Sequence, residues 1–552
     1  MGRKRSFLPF LICIIAVAGI VAAAILFFEK ASSNDRVMDA KNHFKIISDN
    51  EAAIIVNDEL LEEKGVVRNG EIYLSYPLVW EYLNSSFYWE SDTGQMLLTL
   101  PSGTEVWVPG EGKELVMIDQ IPYLSASCVK QNSDIDLDTF TDPERVVART
   151  DWTNVSAETA TKDTVIRARD DKKGEIIKKV SKGDKLILLG KSTDLTNSWY
   201  KVSSPDGFVG YVERMSVTAA PENTISHTTS EKFVFPHIFA EDRVCMGWQY
   251  VESEEDAEME KLVQRTNGMN TISPTWFRFA SDDGDIQSLA KKGYVSKAHK
   301  KGLQVWGCLQ DVQGSPVSIG TILETLDRRT YVIDQILAAA EETGMDGINV
   351  DIETVTEESA PQYLQFIREL SVAAHDQGLI VSSDTFVPVY TEYYDRGGQA
   401  KTVDYIVLMA YDEHTVGSAA AGSVASLPFV EEGIRNTLET VPAEQIVLGM
   451  PFYTRGWALV EGEERPQSKA MGMNDAEIWA NDRGISLYWD SSVGQNVGSA
   501  EGEGVRYSIW MEDEKSLEEK LKLMDQYKLA GGAFWRLGLE RSAVWNTINQ
   551  YF

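Results

Sequence analysis

From His237 to the end of the chain, apolar strand-like runs alternate with stretches whose apolar residues follow helical spacing. Eight such alternations within one domain predict an α/β fold, a (β/α)8 TIM barrel over residues 237–552, because parallel strands need helical crossovers between them. The eight runs are RVCMGWQYV, MNTISPTWF, GLQVWGCLQ, DGINVDIE, LIVSSDTFV, VDYIVLMAYD, IVLGMPFY and GGAFWRLG. The gap between Tyr453 and Ala530 is too long for a bare crossover, so we predict a small insertion after strand 7.

The fourth run carries polar residues where a barrel strand usually carries branched aliphatic ones. Asn349, Asp351 and Glu353 share one face of this strand, and Ile348 and Val350 lie on the other. The inward face of such a strand rises toward its carboxyl end, where barrel enzymes have their active sites. Because burying unpaired carboxylates is costly, the column predicts a catalytic site rather than a structural ladder.

Polar and aromatic residues also mark the ends of other predicted strands. The sixth run ends in Met409, Tyr411 and Asp412, and the eighth reaches Trp535. Flat apolar ring faces stack on sugar rings, so these positions predict a pocket for a glycan. The further aromatic candidates for that pocket are Trp248, Trp276, Trp306 and Tyr453.

The N-terminus predicts a membrane anchor. Residues 1–6 form a basic end that we expect on the cytoplasmic side, and residues 7–28 form an unbroken apolar run. A helix of that length reaches about 33 Å, enough to cross a bilayer. A cleaved signal peptide is the alternative, but its apolar core is normally only about 7–15 residues long. We therefore expect a single-pass protein of a bacterial cell membrane whose later domains lie outside the cytoplasm.

The residues between the anchor and the barrel predict two small, mainly β domains. Residues 42–128 read as short strands and turns, followed by a polar, acidic linker over residues 129–162. Residues 163–217 have a compact β pattern, and residues 218–236 read as a second linker.

Composition excludes some classes of function. The net charge of −32 argues against a nucleic-acid partner, because phosphate binding needs a basic surface. The four cysteines and six histidines are dispersed without the spacing of a metal site, so we expect neither a metal nor another cofactor.

The C-terminal motifs resemble those of glycoside hydrolase family 18. DGINVDIE matches the family signature DGxDxDxE except that Asn349 stands at one Asp position. MAYD, LGMPFY and the Trp of the last strand also lie where that family has them. With the anchor and β domains in front, the chain looks most like bacterial peptidoglycan or spore-cortex N-acetylglucosaminidases of this family.

This resemblance implies roles for three residues. Glu353 would be the general acid, Asp351 would orient the acetamido nitrogen of the substrate, and Tyr411 would donate to the acetamido oxygen. Asp351 and Glu353 lie roughly 6–7 Å apart at the backbone, so their headgroups can approach and share a proton. The substrate's own acetamido group would act as nucleophile, with retention of the anomeric configuration.

Two N-terminal resemblances complete the prediction. VIR, GD, WYKV and GFVGYV within residues 163–217 resemble a bacterial SH3-type module, which could bind cell-wall peptides or serve only as a spacer. Residues 42–128 are similar to the stalk-type domain at the N-terminus of copper amine oxidases, without its copper chemistry.

Some residues depart from the family pattern or are expected to support the site from outside it. Asn349 can hydrogen-bond to Asp351 but cannot take a proton, so we expect a shifted pH optimum. Asp346 lies on the opposite face of the strand from Asn349 and Asp351, so it is expected to hold the start of the strand. Met409 and Asp412 are expected to support the site. The third run, QVWGCLQD, lacks the SxGG sequence common in chitinases.

Three functions follow from these observations. The leading one is an anchored extracytoplasmic β-N-acetylglucosaminidase that acts on peptidoglycan, and the second has chitin or N-glycan cores as substrate. The third is a non-catalytic glycan-binding protein. It is disfavoured because family members that became lectins typically lose the acid, and Glu353 is present.

Overall fold

The computed structural model describes residues 33–191, 198–221, 225–253, 259–311 and 317–552. The predicted anchor at residues 7–28 lies outside these ranges. Within them, no helix combines the length and the apolar character that crossing a bilayer requires.

The described residues divide into two compact units. The first contains the residues up to Phe233 except Glu90–Thr93 and Leu97–Glu105, and the second contains those two segments together with Val234–Phe552.

The first unit contains two seven-stranded sheets. The strands of the chain up to Ala219 are β1 Glu51–Val56, β2 Glu59–Arg68, β3 Glu71–Ser75, β4 Phe87–Glu90, β5 Gln95–Leu100, β6 Gly103–Trp107, β7 Leu115–Ile118, β8 Ile121–Ser125, β9 Asp136–Phe140, β10 Arg145–Arg149, β11 Ser156–Ala160, β12 Thr164–Arg167, β13 Ile176–Val180, β14 Lys185–Lys191, β15 Trp199–Ser203, β16 Val209–Glu213 and β17 Val217–Ala219. Of these, β4, β5 and β6 form a separate three-stranded sheet. The α-helices of this part are Ala40–His43, Tyr76–Leu78 and Ala126–Gln131.

The residue ranges of the two seven-stranded sheets differ from those of the predicted domains. The first has the order β7-β8-β3-β2-β1-β10-β9, so the predicted linker at 129–162 supplies two of its strands. The second has the order β13-β12-β16-β15-β14-β11-β17, so it begins seven residues before the predicted domain start at 163, with Ser156 of β11. The linker prediction was wrong because β9 buries only Leu137 between exposed acidic residues, and an acidic strand with one inward apolar residue resembles a loop.

The two sheets share one hydrophobic core. Phe44 and Ile55 from the first part of the unit pack in the same buried cluster as Ile166, Val202 and Phe208 from the second. The Arg145 guanidinium reinforces this contact, since it donates to the Asp206 backbone oxygen at 2.8 Å and pairs with the Asp206 carboxylate at 3.1 Å. The predicted stalk-like and SH3-type regions are therefore one packed unit.

In the second unit, eight parallel strands close into a barrel, as predicted. Neighbours around the barrel are β18-β19-β22-β23-β24-β25-β26-β32, and β32 pairs with β18 to close it. The strands are β18 Val244–Gln249, β19 Thr271–Pro274, β22 Gln304–Asp311, β23 Gly347–Ile352, β24 Ile380–Phe386, β25 Tyr405–Met409, β26 Ile446–Pro451 and β32 Gly531–Trp535. A hairpin of β20 Phe277–Phe279 and β21 Ile286–Ser288 extends the mouth beyond β19, with β20 paired to β22.

Helices cover the outside of the barrel because their apolar stripes and the outward faces of the strands bury each other. In the helix that ends at Gln526, for example, Leu517, Leu521 and Met524 are buried at helical spacing. The helices that follow Val234, apart from one in the insertion, are Met259–Val263, Lys292–His299, Ile319–Ile322, Leu326–Thr343, Ala360–His375, Arg396–Ala400, Leu427–Thr437, Glu514–Gln526 and Val544–Ile548.

The predicted insertion lies between barrel strands β26 and β32. It is a five-stranded sheet of order β28-β27-β31-β30-β29 with one helix, Met473–Asp482. Its strands are β27 Tyr453–Val460, β28 Gln467–Gly472, β29 Tyr488–Asp490, β30 Gln495–Gly502 and β31 Val505–Met511. This sheet begins directly after a barrel strand ends, so Tyr453 lies at the barrel mouth.

Candidate active site

The two faces of β23 have the environments that its alternation predicts. Ile348, Val350 and Ile352 belong to the core between the barrel and its helices. Asn349 is fully buried and Asp351 is 6% exposed on the inward face. Glu353 follows the strand at the mouth and is partly exposed. The column therefore runs from the barrel interior to solvent.

Asn349 is the polar centre of the barrel interior. Its side-chain oxygen accepts from Trp248 Nε1 at 2.8 Å and from Ser273 Oγ at 3.1 Å. Its amide nitrogen donates to Ser382 Oγ at 3.0 Å and to Asp384 Oδ1 at 2.6 Å. With four partners from three other barrel strands, β18, β19 and β24, this amide has one fixed orientation.

Asp384 is a site residue that sequence reasoning missed. It lies on β24, is 2% exposed, and its Oδ2 has no hydrogen-bond partner among the described residues. Burial, together with the Glu353 carboxylate, raises its pKa well above the ordinary value. The signal was present, because Ser382 and Asp384 alternate on the inward face of the fifth run in the same way as Asn349 and Asp351 on the fourth.

Asp351 lies between these groups without a counter-charge. Its Oδ1 has no hydrogen-bond partner among the described residues. Burial raises its pKa well above the ordinary value, and Asp384, Glu353 and Asp311 raise it further. Several carboxyls close together in a low-dielectric interior cannot all ionise, so this set of carboxyls retains protons near neutral pH.

Glu353 combines access to solvent with a raised pKa. Burial, followed by the charges of Asp311 and Asp412, raises the pKa of Glu353 from 4.5 to about 7. Its position is fixed through the backbone, since Asp311 Oδ1 accepts from the amides of Glu353 at 2.6 Å and Thr354 at 3.2 Å. A partly exposed carboxyl that titrates near 7 can donate a proton to a bound ligand at physiological pH.

Asp311 was also missed as a site residue. It ends β22, is 4% exposed, and accepts from Thr354 Oγ1 in addition to the two amides. Nothing in the run QVWGCLQD distinguishes it by alternation, because its role depends on the neighbouring strand β23, to which it pairs at Ile352. It positions the backbone from which the Glu353 side chain extends.

Residues after β25 form the opposite side of the site. Tyr411 is 7% exposed, and its hydroxyl has no hydrogen-bond partner within the described part of the chain. Burial, followed by the Asp351 charge, raises its pKa well above the ordinary value, so the hydroxyl stays a donor. Tyr453 packs edge-on against Tyr411 with ring centroids 6.4 Å apart, and its hydroxyl donates to the Asp412 carboxylate. Met409 is buried at the end of the strand.

Burial divides the predicted aromatic residues into two groups. Trp535 is partly exposed at the mouth and contacts Trp248 edge-on, with ring centroids 5.8 Å apart. Trp248, Trp276 and Trp306 are at most 1% exposed. The prediction that these three residues line a sugar pocket was therefore wrong, because a ring without accessible surface cannot stack on a ligand. Trp535 remains as the open platform.

The three buried tryptophans have structural roles instead. Trp248 orients Asn349 through its indole N–H. Trp306 stacks on Tyr405 inside the barrel, with ring centroids 5.7 Å apart. Trp276 packs against Tyr294 in the helix-facing core, with ring centroids 4.9 Å apart. Trp248 and Trp306 are paired residues within their strands and lie in the closed interior of the barrel, whereas Trp276 follows the last paired residue of β19, so its face of the sheet cannot be assigned from sequence.

Asp346 does not join the site. It precedes β23, and its Oδ2 accepts from Val305 N at 2.7 Å and from His299 Nε2 at 2.8 Å. These bonds connect the start of β23 to the neighbouring strand and to a helix, at the end of the strand opposite the mouth. Among the described residues, no group of three or more His, Cys, Asp and Glu side chains is arranged to hold a metal ion.

Comparisons with protein families agree with this geometry. The model of "Glycosyl hydrolases family 18" matches residues 243–540, and that of "Bacterial SH3 domain" matches residues 162–218. The match to the first family covers more than half of the chain. The comparisons do not show a copper amine oxidase-type domain.

Curated relatives align with about half of the chain. An uncharacterized glycosylase, YvbX, of Bacillus subtilis is 24% identical over 309 residues, 53% of this chain and 88% of the relative. A cortical fragment-lytic enzyme of Bacillus anthracis is also 24% identical over 309 residues, 53% of this chain and 71% of the relative.

Solved structures share the barrel fold. The spore cortex-lytic enzyme SleL of Bacillus cereus superposes with a TM-score of 0.51 at 20% identity, over 56% of this chain and 75% of that chain. The C-terminal domain of a protein from Desulfitobacterium hafniense described as a chitinase superposes with the same TM-score and identity, over 56% of this chain and 99% of that one.

Proposed function

Because the chain belongs to glycosyl hydrolases family 18 and is a glycoside hydrolase, we propose that it cleaves peptidoglycan at β-linked N-acetylglucosamine by substrate-assisted, retaining catalysis. The observation that carries the chemical part of this proposal is the state of Glu353. It is the partly exposed carboxyl at the mouth, and its pKa is raised to about 7.

In the first step, Glu353 protonates the glycosidic oxygen of the leaving sugar. The acetamido oxygen of the substrate forms a bond to C1 while the bond from C1 to the leaving oxygen breaks, which gives an oxazolinium ion. In the second step, the Glu353 carboxylate takes a proton from water as the water oxygen bonds to C1 and the oxazolinium ring opens. Two displacements at C1 retain the anomeric configuration.

The neighbours of Glu353 are suited to hold the acetamido group. Asp351 has an unpartnered oxygen that can accept from the acetamido N–H, and the Tyr411 hydroxyl can donate to the acetamido oxygen. Asn349 donates to Asp384 at 2.6 Å and, contrary to the sequence prediction, forms no hydrogen bond with Asp351 among the described residues, so a carboxyl on the next strand partly offsets the loss of the family's Asp at position 349. We infer that the Asp384 carboxyl, whose charge raises the pKa of Asp351, supplies the ionisable neighbour that Asn349 cannot.

The burial of the other carboxyls supports a substrate nucleophile. Asp311, Asp351 and Asp384 are each at most 6% exposed, which leaves them poorly placed to form a covalent bond to an anomeric carbon. An enzyme that uses its own carboxylate for this purpose needs an accessible one near the acid.

The relatives of the barrel and the domain that precedes it favour peptidoglycan over other glycans as the substrate. Relatives named cortical fragment-lytic enzyme and the bacterial SH3-type module both support a wall substrate. Chitin is the second candidate, since curated relatives also include a class V chitinase of Arabidopsis thaliana, 26% identical over 304 residues. We further propose that residues 7–28 anchor the chain in the membrane, with the barrel outside the cytoplasm, on the strength of that apolar run.

Product analysis tests the proposal. The protein is incubated separately with purified peptidoglycan, chito-oligosaccharides and an N-glycosylated protein, and the new reducing ends are identified by mass spectrometry. We expect N-acetylglucosamine at the reducing ends released from peptidoglycan, and inhibition by a thiazoline that mimics the oxazolinium ion. Binding without release, or release only from chitin, would overturn the peptidoglycan assignment.

A further inference from the structure

A pair of arginines flanks one tyrosine at the barrel mouth. Tyr250 directly follows β18, Arg536 directly follows β32, and Arg278 lies on β20, which extends the mouth beyond β19. The Arg278 guanidinium carbon is 5.8 Å from the centroid of the Tyr250 ring, and that of Arg536 is 5.1 Å from the same centroid. Adjacent barrel strands thus bring two cations together next to Trp535, the open aromatic platform.

Arg278 is held by its neighbours in one orientation. Its Nη2 donates to the Val251 backbone oxygen at 2.6 Å. Gln310, with its amide oxygen turned toward the guanidinium, accepts from Nε at 2.9 Å and from Nη2 at 3.2 Å. Gln310 is 3% exposed and pairs in register with Asp351 of β23. This connects the arginine to the strand position next to the catalytic column, and leaves Nη1 without a partner among the described residues.

Arg536 is less constrained. It is partly exposed, stacks on Tyr250, and its guanidinium donates no hydrogen bond to any described residue. The carboxylate of Glu252 accepts from the Tyr250 hydroxyl at 2.5 Å, so this acid occupies the phenol end of the tyrosine rather than the guanidinium groups. Across the described residues, neither Arg278 nor Arg536 forms an ion pair with a carboxylate.

Two oriented guanidinium groups without a carboxylate contrast with the acidic character of this chain, which has 84 acidic and 52 basic residues. In the barrel unit Arg243 and Arg329 pair with carboxylates, whereas the buried Arg396 donates instead to backbone oxygens of its own segment. A guanidinium that is already oriented by stacking and hydrogen bonds loses little conformational freedom when it binds an anion. Its planar fork matches a carboxylate in two parallel hydrogen bonds.

We propose that Arg278 and Arg536 bind a carboxylate of the substrate, carried by the substituent at O3 of the sugar adjacent to the cleaved N-acetylglucosamine. This inference rests on the proposed function, because a muramic acid residue carries such a group whereas chitin and its oligosaccharides are neutral. The pair makes the mouth selective for an anionic glycan although the whole protein is strongly acidic and repels anions at long range. The ligand class is a lactyl carboxylate or the carboxylate of a peptide attached to it.

The test compares anionic and neutral substrates of the same enzyme. Arg536→Gln is the main variant because its guanidinium makes no hydrogen bond that folding requires, and Arg278→Gln is the second. We expect kcat/KM on peptide-free glycan strands, relative to kcat/KM on chito-oligosaccharides, to fall about tenfold or more, as for loss of a charge-assisted hydrogen bond. Arg506→Gln, an exposed arginine of the insertion paired with Glu501, controls for the change in net charge.

Two further arms identify the carboxylate. Strands whose lactyl carboxyls are converted to methylamides should lose the preference in the wild-type enzyme. If the preference appears only with peptide-bearing strands, and amidation of the peptide carboxyls abolishes it, the peptide carboxylate is the ligand. An unchanged ratio of the two kcat/KM values in both arginine variants overturns the proposal.

A binding measurement tests the arginine site even if the proposed function fails. If wild type releases nothing from peptidoglycan, the proposed function fails, and calorimetry with N-acetylmuramic-acid-containing oligosaccharides still decides the arginine site. Weaker binding by Arg536→Gln than by Arg506→Gln would support the site, and equal binding would overturn it.

Discussion

The barrel unit contains two kinds of buried acid. Glu512 is fully buried, lies 3.0 Å from Lys520 Nζ, and also accepts from Gln495 and Ser516. Burial raises its pKa, and the lysine opposes that rise. By contrast, Asp351 and Asp384 are as deeply buried but each has an oxygen without a partner among the described residues, and neither pairs with a lysine or arginine there.

The difference separates scaffold from chemistry. A cation beside a buried carboxyl opposes the rise in its pKa that burial causes, and the pair connects elements, as Glu369 and Arg329 do at 2.8 Å between two helices. Unpaired buried carboxyls destabilise the fold when ionised, and such groups are retained where their protons are used. The pattern of pairing therefore points to the β23 and β24 acids as functional, independently of the family signature.

The largest effect is expected from Glu353→Gln. The amide has nearly the same shape but no proton to donate, so kcat should fall about 10²–10⁴-fold while substrate binding persists. Single-turnover assays and calorimetry on the same preparation measure the two quantities. A variant that cleaves at the wild-type rate would remove Glu353 as the acid.

Lys520→Met tests the scaffold side of the comparison. It strips the cation from a fully buried carboxylate, so the free energy of unfolding should fall by about 3–5 kcal/mol. Denaturant titration measures this loss. The kcat per folded molecule should remain within about twofold of the wild-type value, because the substitution changes the stability of the fold and not the site. The exposed Lys522→Met, whose ion pairs lie at the surface, is the matched control and should cost at most about 1 kcal/mol.

Asp384→Asn tests an unpaired acid. The amide oxygen can still accept from Asn349, but the ionisable carboxyl that raises the pKa of Asp351 is lost, so we expect kcat to fall about 10–100-fold. Because an unpaired carboxyl is removed, stability at pH 8 should not decrease. A loss of stability as large as that of Lys520→Met, with unchanged kcat, would place Asp384 among the scaffold acids.

The smallest effect concerns stability and pH. The pKa of Glu353 is raised from 4.5 to about 7, so its contribution to stability is present below pH 4.5 and is lost as pH rises through 7. The melting temperature of wild type, measured relative to Glu353→Gln, should therefore fall by about 2–4 °C between pH 4.5 and 8. A difference that rises with pH would have the wrong sign for a raised pKa.

Much of the barrel could be predicted because its signals are local. Seven of the eight predicted runs contain a barrel strand and the third stops one residue short of the end of β22, and alternation along DGINVDIE placed Asn349 and Asp351 inside. Asp311 was missed because its role depends on which strand lies next to β23, and that neighbourhood is a property of the closed barrel that no spacing within a single run encodes. Asp384 was missed although its own run carries the signal, since Ser382 and Asp384 alternate on the inward face in the same way as Asn349 and Asp351.

The failures at the aromatic residues and in the N-terminal region have a related cause. Trp276 and Trp306 lie at predicted strand ends, yet burial against Tyr294 and Tyr405 closes them to ligands. Residues 136–149 looked like a linker because β9 is acidic, and its partner β10 joins the sheet by parallel pairing with β1, nearly a hundred residues earlier in the chain. Contacts distant in sequence decided both outcomes.

The protonation of Glu353 in the free enzyme is the most direct test of this account. Infrared difference spectra between wild type and Glu353→Gln, recorded across a pH titration, isolate the carboxyl band of this side chain. We predict a protonated carboxyl at pH 6 with a midpoint near 7. A midpoint near the ordinary value of 4.5 would contradict the claim that unpaired burial holds the catalytic proton.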